Sequence, residues 1–564
     1  MPVPSRSAGF GGVQALPPQA GHTANRFSRG AAGLTPVWPE RPAALLQRGG
    51  EGARGRHGDC PMPPEAGDNG GSAMRPKFLV PLVVAAALSA GCATVVNPVT
   101  GREERTVMDE AAEIAEGRKA HPQVLAEYGR YDNARVQAYV NGLGQKLARQ
   151  SHRGSLQWTF TVLDSPEINA FALPGGYVYV TRGIMAYMES EADLAGVIGH
   201  EIGHVTARHG AQRATRQQTA GIGVLAASVL GAVLGVGDLA GQVAQTAAAG
   251  YVASYSRDQE LQADQLGAEY LARNKYDPSN MVDVIGVLKD QERYAADAAR
   301  DEGRAASAGG NWLSSHPSNE QRLADIRGIA AKYKGQYGDD GRARYLQAVD
   351  GMAFGESREQ GVTRGRNFYH EPLGIALTAP QGWRIANSPD AIAVVNAAGD
   401  AGLVVKTVPP NAGTTHEEII RNVFKPTEGR TERRTLGAGL AATHVAGMRR
   451  TAQGQTGSFE ATIVTGPANR HYALLYLARD VAALQRSAPG LRESESSFRP
   501  LTAADRAAAR PWALKTVAFP PGGFAELARR SPLPTRAEQQ LRLINGVYGA
   551  QREPRAGEPV KVVE

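Results

Sequence analysis

The stretch VIGHEIGHVTARHG, residues 197 to 210, gathers three of the chain's 12 histidines around one glutamate. On a helix, successive residues turn by about 100°, so His200 and His204 stand one above the other on one face with Glu201 beside them. Leu194, Val197, Ile198, Ile202 and Val205 would bury that helix and hold the imidazoles rigidly. Two imidazoles one turn apart can grip one ion, and the adjacent carboxylate can polarise a water on it, which is what His-Glu-x-x-His on a helix provides. The metzincin continuation, with a Gly three residues and a His six residues after the second His, is absent, since those positions hold Ala207 and Gly210. On a continuous helix His209 would lie about 140° around from His204. It reads as a structural residue or as one supporting the ligands from behind.

A catalytic zinc usually has three protein ligands and an open position. SYSRDQELQADQLGAEYLAR (254 to 273) has Leu261, Leu266, Tyr270 and Leu271 on one side of a predicted helix, with Glu260 and Asp264 one turn apart on another. Glu260 could complete the ligand set, and Asp264 could orient a ligand histidine through its other ring nitrogen. Taken alone, the same pair also reads as a solvated acidic face.

His-Glu-x-x-His followed by Glu-x-x-x-Asp resembles the gluzincin metalloproteases related to the CAAX prenyl protease and HtpX, most of all their periplasmic BepA- and LoiP-type members. The resemblance covers roughly residues 100 to 350. It extends to NAFALPGGYVYVTRGIM (169 to 185), similar to the family's strand pair before the active-site helix, and to SHPSNEQRLADIR (315 to 327), similar to its closing His-Pro segment. It implies one Zn2+ per chain held by His200, His204 and Glu260, with Glu201 as general base. It also implies a catalytic or gating part for His316. That residue either fills the fourth position until its loop moves or stabilises the oxyanion, the alternative being a histidine that only packs. A helix is expected from about Asn319 to Lys332, with Arg322 as a salt-bridging or substrate-positioning residue.

The strands have independent support. WTFTVL (158 to 163) and YVYV (177 to 180) have strand propensity, and Pro174-Gly175-Gly176 is a turn signal. A short strand at Asn169, Ala170 and Phe171, beside the zinc helix, could take a peptide backbone by strand addition, leaving side-chain identity weakly specified.

Upstream, MRPKFLVPLVVAAALSAGCAT (74 to 94) has Arg75 and Lys77, an apolar run and then small residues, as a secretory signal does. Its end resembles a bacterial lipoprotein signal with Cys92 as the lipidated residue. With Ala93 following, the expectation is a periplasmic protein anchored by lipid to the outer membrane of a Gram-negative bacterium. Residues 1 to 73 are rich in Gly, Pro, Ala and Arg without periodicity, and read as a disordered or mis-assigned extension. They carry seven Lys/Arg and five Asp/Glu, so removing them with Arg75 and Lys77 lowers the net charge from +7 to +3. No basic stripe with aromatics remains to suggest nucleic acid. Of the two cysteines only Cys92 then persists, so no intrachain disulfide is expected.

The expected fold class is α+β. A mainly helical zincin-type domain with a small antiparallel sheet (92 to 355) precedes an α+β accessory domain (366 to 500) and a small C-terminal module (511 to 564), after a signal peptide at 74 to 91. The uncharged AGIGVLAASVLGAVLGVG (220 to 237) reads as a buried or membrane-touching hairpin rather than a span. GIALTAP, IAVVN, GLVVKTV, FEATIVTG and HYALLYLAR are short strand-like runs, with helices at 416 to 424 and near 481 to 490. The tail reads strand, helix, helix, strand. It resembles a LysM glycan-binding module, whose usual Gly-Asp-Thr turn is here Gly522-Gly523-Phe524 and whose Asn-Gly is Asn545-Gly546; a small structural or protein-docking domain is the alternative. The function expected is a zinc endopeptidase acting on misfolded or mis-assembled envelope polypeptides. Peptidoglycan or outer-membrane assembly proteins are further candidate partners. The alternative is a non-proteolytic lipoprotein chaperone or scaffold.

Overall fold

The computed structural model describes residues 93–216, 218, 255–301, 316, 320–388, 391–450, 456–549 and 553–564. Residues 1–73, the signal-like segment 74–91, Cys92 and the apolar segment 220–237 lie outside the described residues. Among the described residues no helix is long and apolar enough to cross a membrane.

Two compact units emerge. One comprises 93–376, 387–388 and 500–564, the other 377–386 and 391–499. In the first, an antiparallel pair of strands β1 (Ala93–Val96) and β2 (Glu103–Thr106) is followed by helices α1 (Glu110–Tyr128) and α2 (Ala134–Arg149). Strands β3 (Thr159–Leu163), β4 (Ala170–Leu173) and β5 (Tyr177–Thr181) come next, and then helices α3 (Arg182–Tyr187), α4 (Glu191–Thr206), α5 (Arg257–Arg273), α6 (Asn280–Asp301), α7 (Glu320–Ala330) and α8 (Arg342–Val349).

The small sheet corrects an expectation. Its order is β3-β5-β4, with β3 parallel to β5 and β4 antiparallel to it, so it is mixed rather than antiparallel. The turn signal belongs to the β4–β5 hairpin, where Gly175 (φ +81°) and Gly176 (φ +93°) take left-handed backbone. A Cβ on Gly175 would also lie 2.6 Å from Ile114 Cα. Local alternation marks strands but not their neighbours, and the 158–163 and 177–180 runs are adjacent only because the chain crosses over between them.

α4 starts where Ser190 caps it. The Ser190 side chain accepts from Asp193 N, and the Asp193 carboxylate accepts from Ser190 N and Glu189 N. All sixteen residues of α4 are buried. The core around it runs from Leu194, Ile198 and Ile202 through Val140 and Leu147 to Val162 and Val180, and on to Phe524, Leu541, Ile544 and Val560.

That continuity places the C-terminal segment in the same unit as α4. Trp512–Ala518 pairs antiparallel with Pro559–Val563 and with Ala353–Phe354, and the helices Gly523–Arg530 and Ala537–Ile544 lie between the two longer strands. The segment thus reads strand, helix, helix, strand. Lys561 is fully buried there. Its ammonium donates to the carbonyls of Ala186 and Met188 and pairs with Glu189 Oε1 at 2.8 Å, tying the last strand to the junction between α3 and α4.

The second unit is built on a seven-stranded sheet. Its strands include Ala391–Val395, Ala401–Thr407, His471–Ala478, Thr456–Thr465, Leu440–Arg450 and Pro426–Leu436, in that order and antiparallel at each of these junctions. Ile419, Ile420 and Phe424, from the helical segment at 416–424, pack on Val445, Ala461, Ile463 and Leu475. The strands at 426–436 and 440–450 were not among the expected ones.

Candidate metal centre

The site depends on two helices coming unusually close. Gly199 and Gly203 on α4 face Ala263 and Gly267 on α5, and a Cβ built on Gly203 would lie 3.0 Å from the Ala263 carbonyl oxygen. With glycines at Gly199, Gly203 and Gly267 in this crossing, the Glu260 carboxylate reaches the face that carries His200 and His204.

Four donors converge there. His200 Nε2 lies 3.0 Å from His204 Nε2, and the Glu260 oxygens lie 3.6 Å from the first and 3.5 Å from the second. His316 Nδ1 lies 3.2 Å from His200 Nε2 and 3.0 Å from Glu260 Oε1. All four side chains are buried. Tetrahedral zinc with bonds of about 2.0–2.1 Å sets neighbouring donors roughly 3.3 Å apart, so these residues fit one zinc ion. His316 thus adds a fourth donor to the three ligands expected from the sequence, with its Nε2 3.6 Å from Glu201 Oε1.

Behind the donors lies a second layer of partners. His200 Nδ1 is 2.8 Å from Asp264 Oδ1. Arg322 donates from Nε to Asp264 Oδ2 and from Nη2 to Asp264 Oδ1, both at 2.8 Å, and from Nη1 to the His316 carbonyl at 2.9 Å. The same Nη1 is 3.1 Å from Glu260 Oε2. Arg322 is 6% exposed and is ion-paired to Asp264 and Glu260. Burial by itself would raise Asp264, but the Arg322 fork and His200 hold its carboxyl below the usual value. Burial likewise opposes charge on Glu260 and His316. The His316 ring and Arg322 nevertheless keep Glu260 low, and Glu260 and Glu201 keep the His316 imidazole high.

His209 departs from the continuous-helix expectation. α4 ends at Thr206, Ala207 caps it, and Arg208 takes a left-handed conformation (φ +61°) before the chain turns helical again. This break swings His209 against His204, with the two Nδ1 atoms 2.9 Å apart. Burial pushes His204 well below the usual histidine value and brings His209 down to about 4. Tyr255, which the sequence reading passed over, stacks on His204 with ring centroids 4.0 Å apart. The only sequence signal for it was an aromatic residue five positions before Glu260.

β4 lies beside α4 and hydrogen-bonds through one side to β5, forming one edge of the three-stranded sheet. Ala170 is fully buried, while Asn169 and Phe171 are half-buried, and the Phe171 ring stacks on Tyr179.

The sequence profile of Peptidase family M48 matches residues 134–330, which include all four donors, Glu201, Asp264 and Arg322. The chain carries a peptidase family M48 domain. Family M48 metalloproteases are zinc-dependent, and the buried cluster is a compatible zinc site. The chain is 33% identical over 238 residues to the "Beta-barrel assembly-enhancing protease" of Escherichia coli (strain K12), covering 41% of this chain and 44% of that protein. It is 29% identical over 245 residues to the protein of the same name from Yersinia pestis, covering 39% and 48%. Over 236 residues it is 30% identical to the "Mitochondrial metalloendopeptidase OMA1" of Schizosaccharomyces pombe, covering 41% and 64%. The M48 similarity thus spans less than half of either bacterial relative. Among solved structures, Cyanobacterial PsbP from Synechocystis overlaps 25% of the chain and 98% of its own length, at 13% identity and a TM-score of 0.18.

Proposed function

We propose that this protein is a zinc endopeptidase of the bacterial envelope that cleaves extended or unfolded polypeptides, including those failing in outer-membrane β-barrel assembly. The observation that carries the reading is the set of four buried donors, drawn from α4, α5 and His316 and spaced as ligands of one ion. The names of the bacterial relatives support the assembly context, and the signal-like segment ending at Cys92 supports a lipid-anchored envelope location.

Bound zinc would polarise a water and the scissile carbonyl. Glu201, next to His200 on α4, takes the water's proton and passes it to the leaving amine. The edge of β4 offers main-chain donors and acceptors to an extended substrate, so affinity comes from the backbone and side-chain preference is broad. Asp264 and Arg322 hold His200 in place. His316 Nδ1, 3.2 Å from His200 Nε2 and 3.0 Å from Glu260 Oε1, would hold the ion as a fourth donor and so would act as a latch on the position that a reacting water needs.

Glu201→Gln should keep zinc and lose cleavage of unfolded casein; cleavage at the wild-type rate would refute the assignment. His316→Ala should keep zinc and raise cleavage. A loss of about 10²- to 10³-fold in turnover with substrate binding intact would instead make His316 the oxyanion stabiliser.

A further inference from the structure

A neutral imidazole carries one N–H, so a histidine can present a bare Nε2 to a metal only when its proton is on Nδ1 and has somewhere to go. For His200 that acceptor is the Asp264 carboxylate. For His204 it is another histidine: His204 Nδ1 lies 2.9 Å from His209 Nδ1, and His209 Nε2 lies 3.0 Å from Gln262 Oε1. Only one proton arrangement leaves His204 Nε2 bare. His204 Nδ1–H donates to a bare His209 Nδ1, and His209 Nε2–H donates to the Gln262 carbonyl oxygen.

Resting on the zinc-site reading, we infer that His209 and Gln262 form a neutral proton-fixing relay that sets the tautomer and ring orientation of His204 for metal binding. His209 is a positioning residue for His204. The two metal-facing histidines are thus held by unlike partners, His200 by a carboxylate already committed to Arg322 and His204 by an uncharged chain.

The backbone is shaped to make this contact. On an unbroken helix His209 would point well away from His204, and the left-handed Arg208 is what turns it back. Arg208 is itself held, with Nε 3.3 Å from Glu113 Oε1 and Nη2 donating to the Met108 carbonyl. Gln262 sits two residues after Glu260 on α5, so the helix that supplies the third donor also anchors the relay.

The test measures zinc affinity of the full chain by competition with a chromophoric chelator, together with nitrogen NMR of the histidine-labelled, zinc-free protein. His209→Leu should weaken zinc binding by about 10- to 100-fold. His209→Asn, whose side-chain carbonyl can still accept from His204 Nδ1–H, should bind close to wild type. The NMR experiment needs no variant to fold, and should place protons on His204 Nδ1 and His209 Nε2. Equal affinity for wild type and His209→Leu, an Asn variant as weak as the Leu variant, or a proton on His209 Nδ1 would each overturn the relay while leaving the zinc site standing. A wild-type chain that binds no zinc would overturn both.

Discussion

Arg322 meets Asp264 edge to edge, with two donor–acceptor distances of 2.8 Å, and the same Asp264 Oδ1 lies 2.8 Å from His200 Nδ1. The strand of contacts from α7 through α5 to α4 therefore ends on a metal-facing histidine. Arg322→Lys keeps the charge and loses the fork. It should lower zinc affinity about 10- to 100-fold, as loss of such supporting partners commonly does. Arg322→Ala leaves the buried Asp264 without its main cation and should cost about 3–5 kcal/mol in denaturant unfolding.

The close approach of α4 and α5 gives a second prediction. Gly203→Val forces side-chain atoms against the Ala263 carbonyl, a backbone group with little room to yield. Overpacking of this kind costs about 1–3 kcal/mol, and the separation it imposes should draw Glu260 away and abolish stoichiometric zinc. Gly142→Ala, on α2 with nothing within 4 Å of the added Cβ, is the control. It should stabilise by about 0.5–1 kcal/mol and leave zinc binding unchanged.

Much of the donor set was legible in the sequence because two helical spacings, His200 to His204 and Glu260 to Asp264, each put two groups on one face. The approach of those faces was not legible, since it rests on glycines whose effect appears only when the helices pack. The supporting place read for His209 did not follow from helical geometry, which sets it about 140° from His204; the left-handed turn at Arg208 is what brings the two rings together. In the second unit, the run PTEGRTERRTL at 426–436 alternates no apolar residues, and it is a largely exposed strand at one end of the sheet order. Its partner strand and the sheet hold it in register, and neither is visible locally.

A pH-dependent effect is expected at the start of α4. Burial pushes Asp193 up to about 6, opposed by the Asn280 amide and by the backbone amide of Glu189, with Asp283 and Glu189 adding repulsion. The folded state therefore binds a proton that the unfolded chain, with a carboxyl near 3.9, has released. Stability from this residue is greatest below about pH 4, declines as pH rises to about 6, and is flat above. Asp193→Asn removes that slope. The variant's stability relative to wild type should rise by roughly 2–3 kcal/mol between pH 4 and pH 7 in denaturant titrations. A pH-independent difference would contradict the raised value.

The most direct test of the central claim is metal removal and return. The full chain should purify with one zinc per molecule and cleave unfolded casein. It should lose both zinc and cleavage to a strong chelator, and recover cleavage when stoichiometric zinc is restored. Undiminished cleavage by demonstrably zinc-free protein would contradict the account.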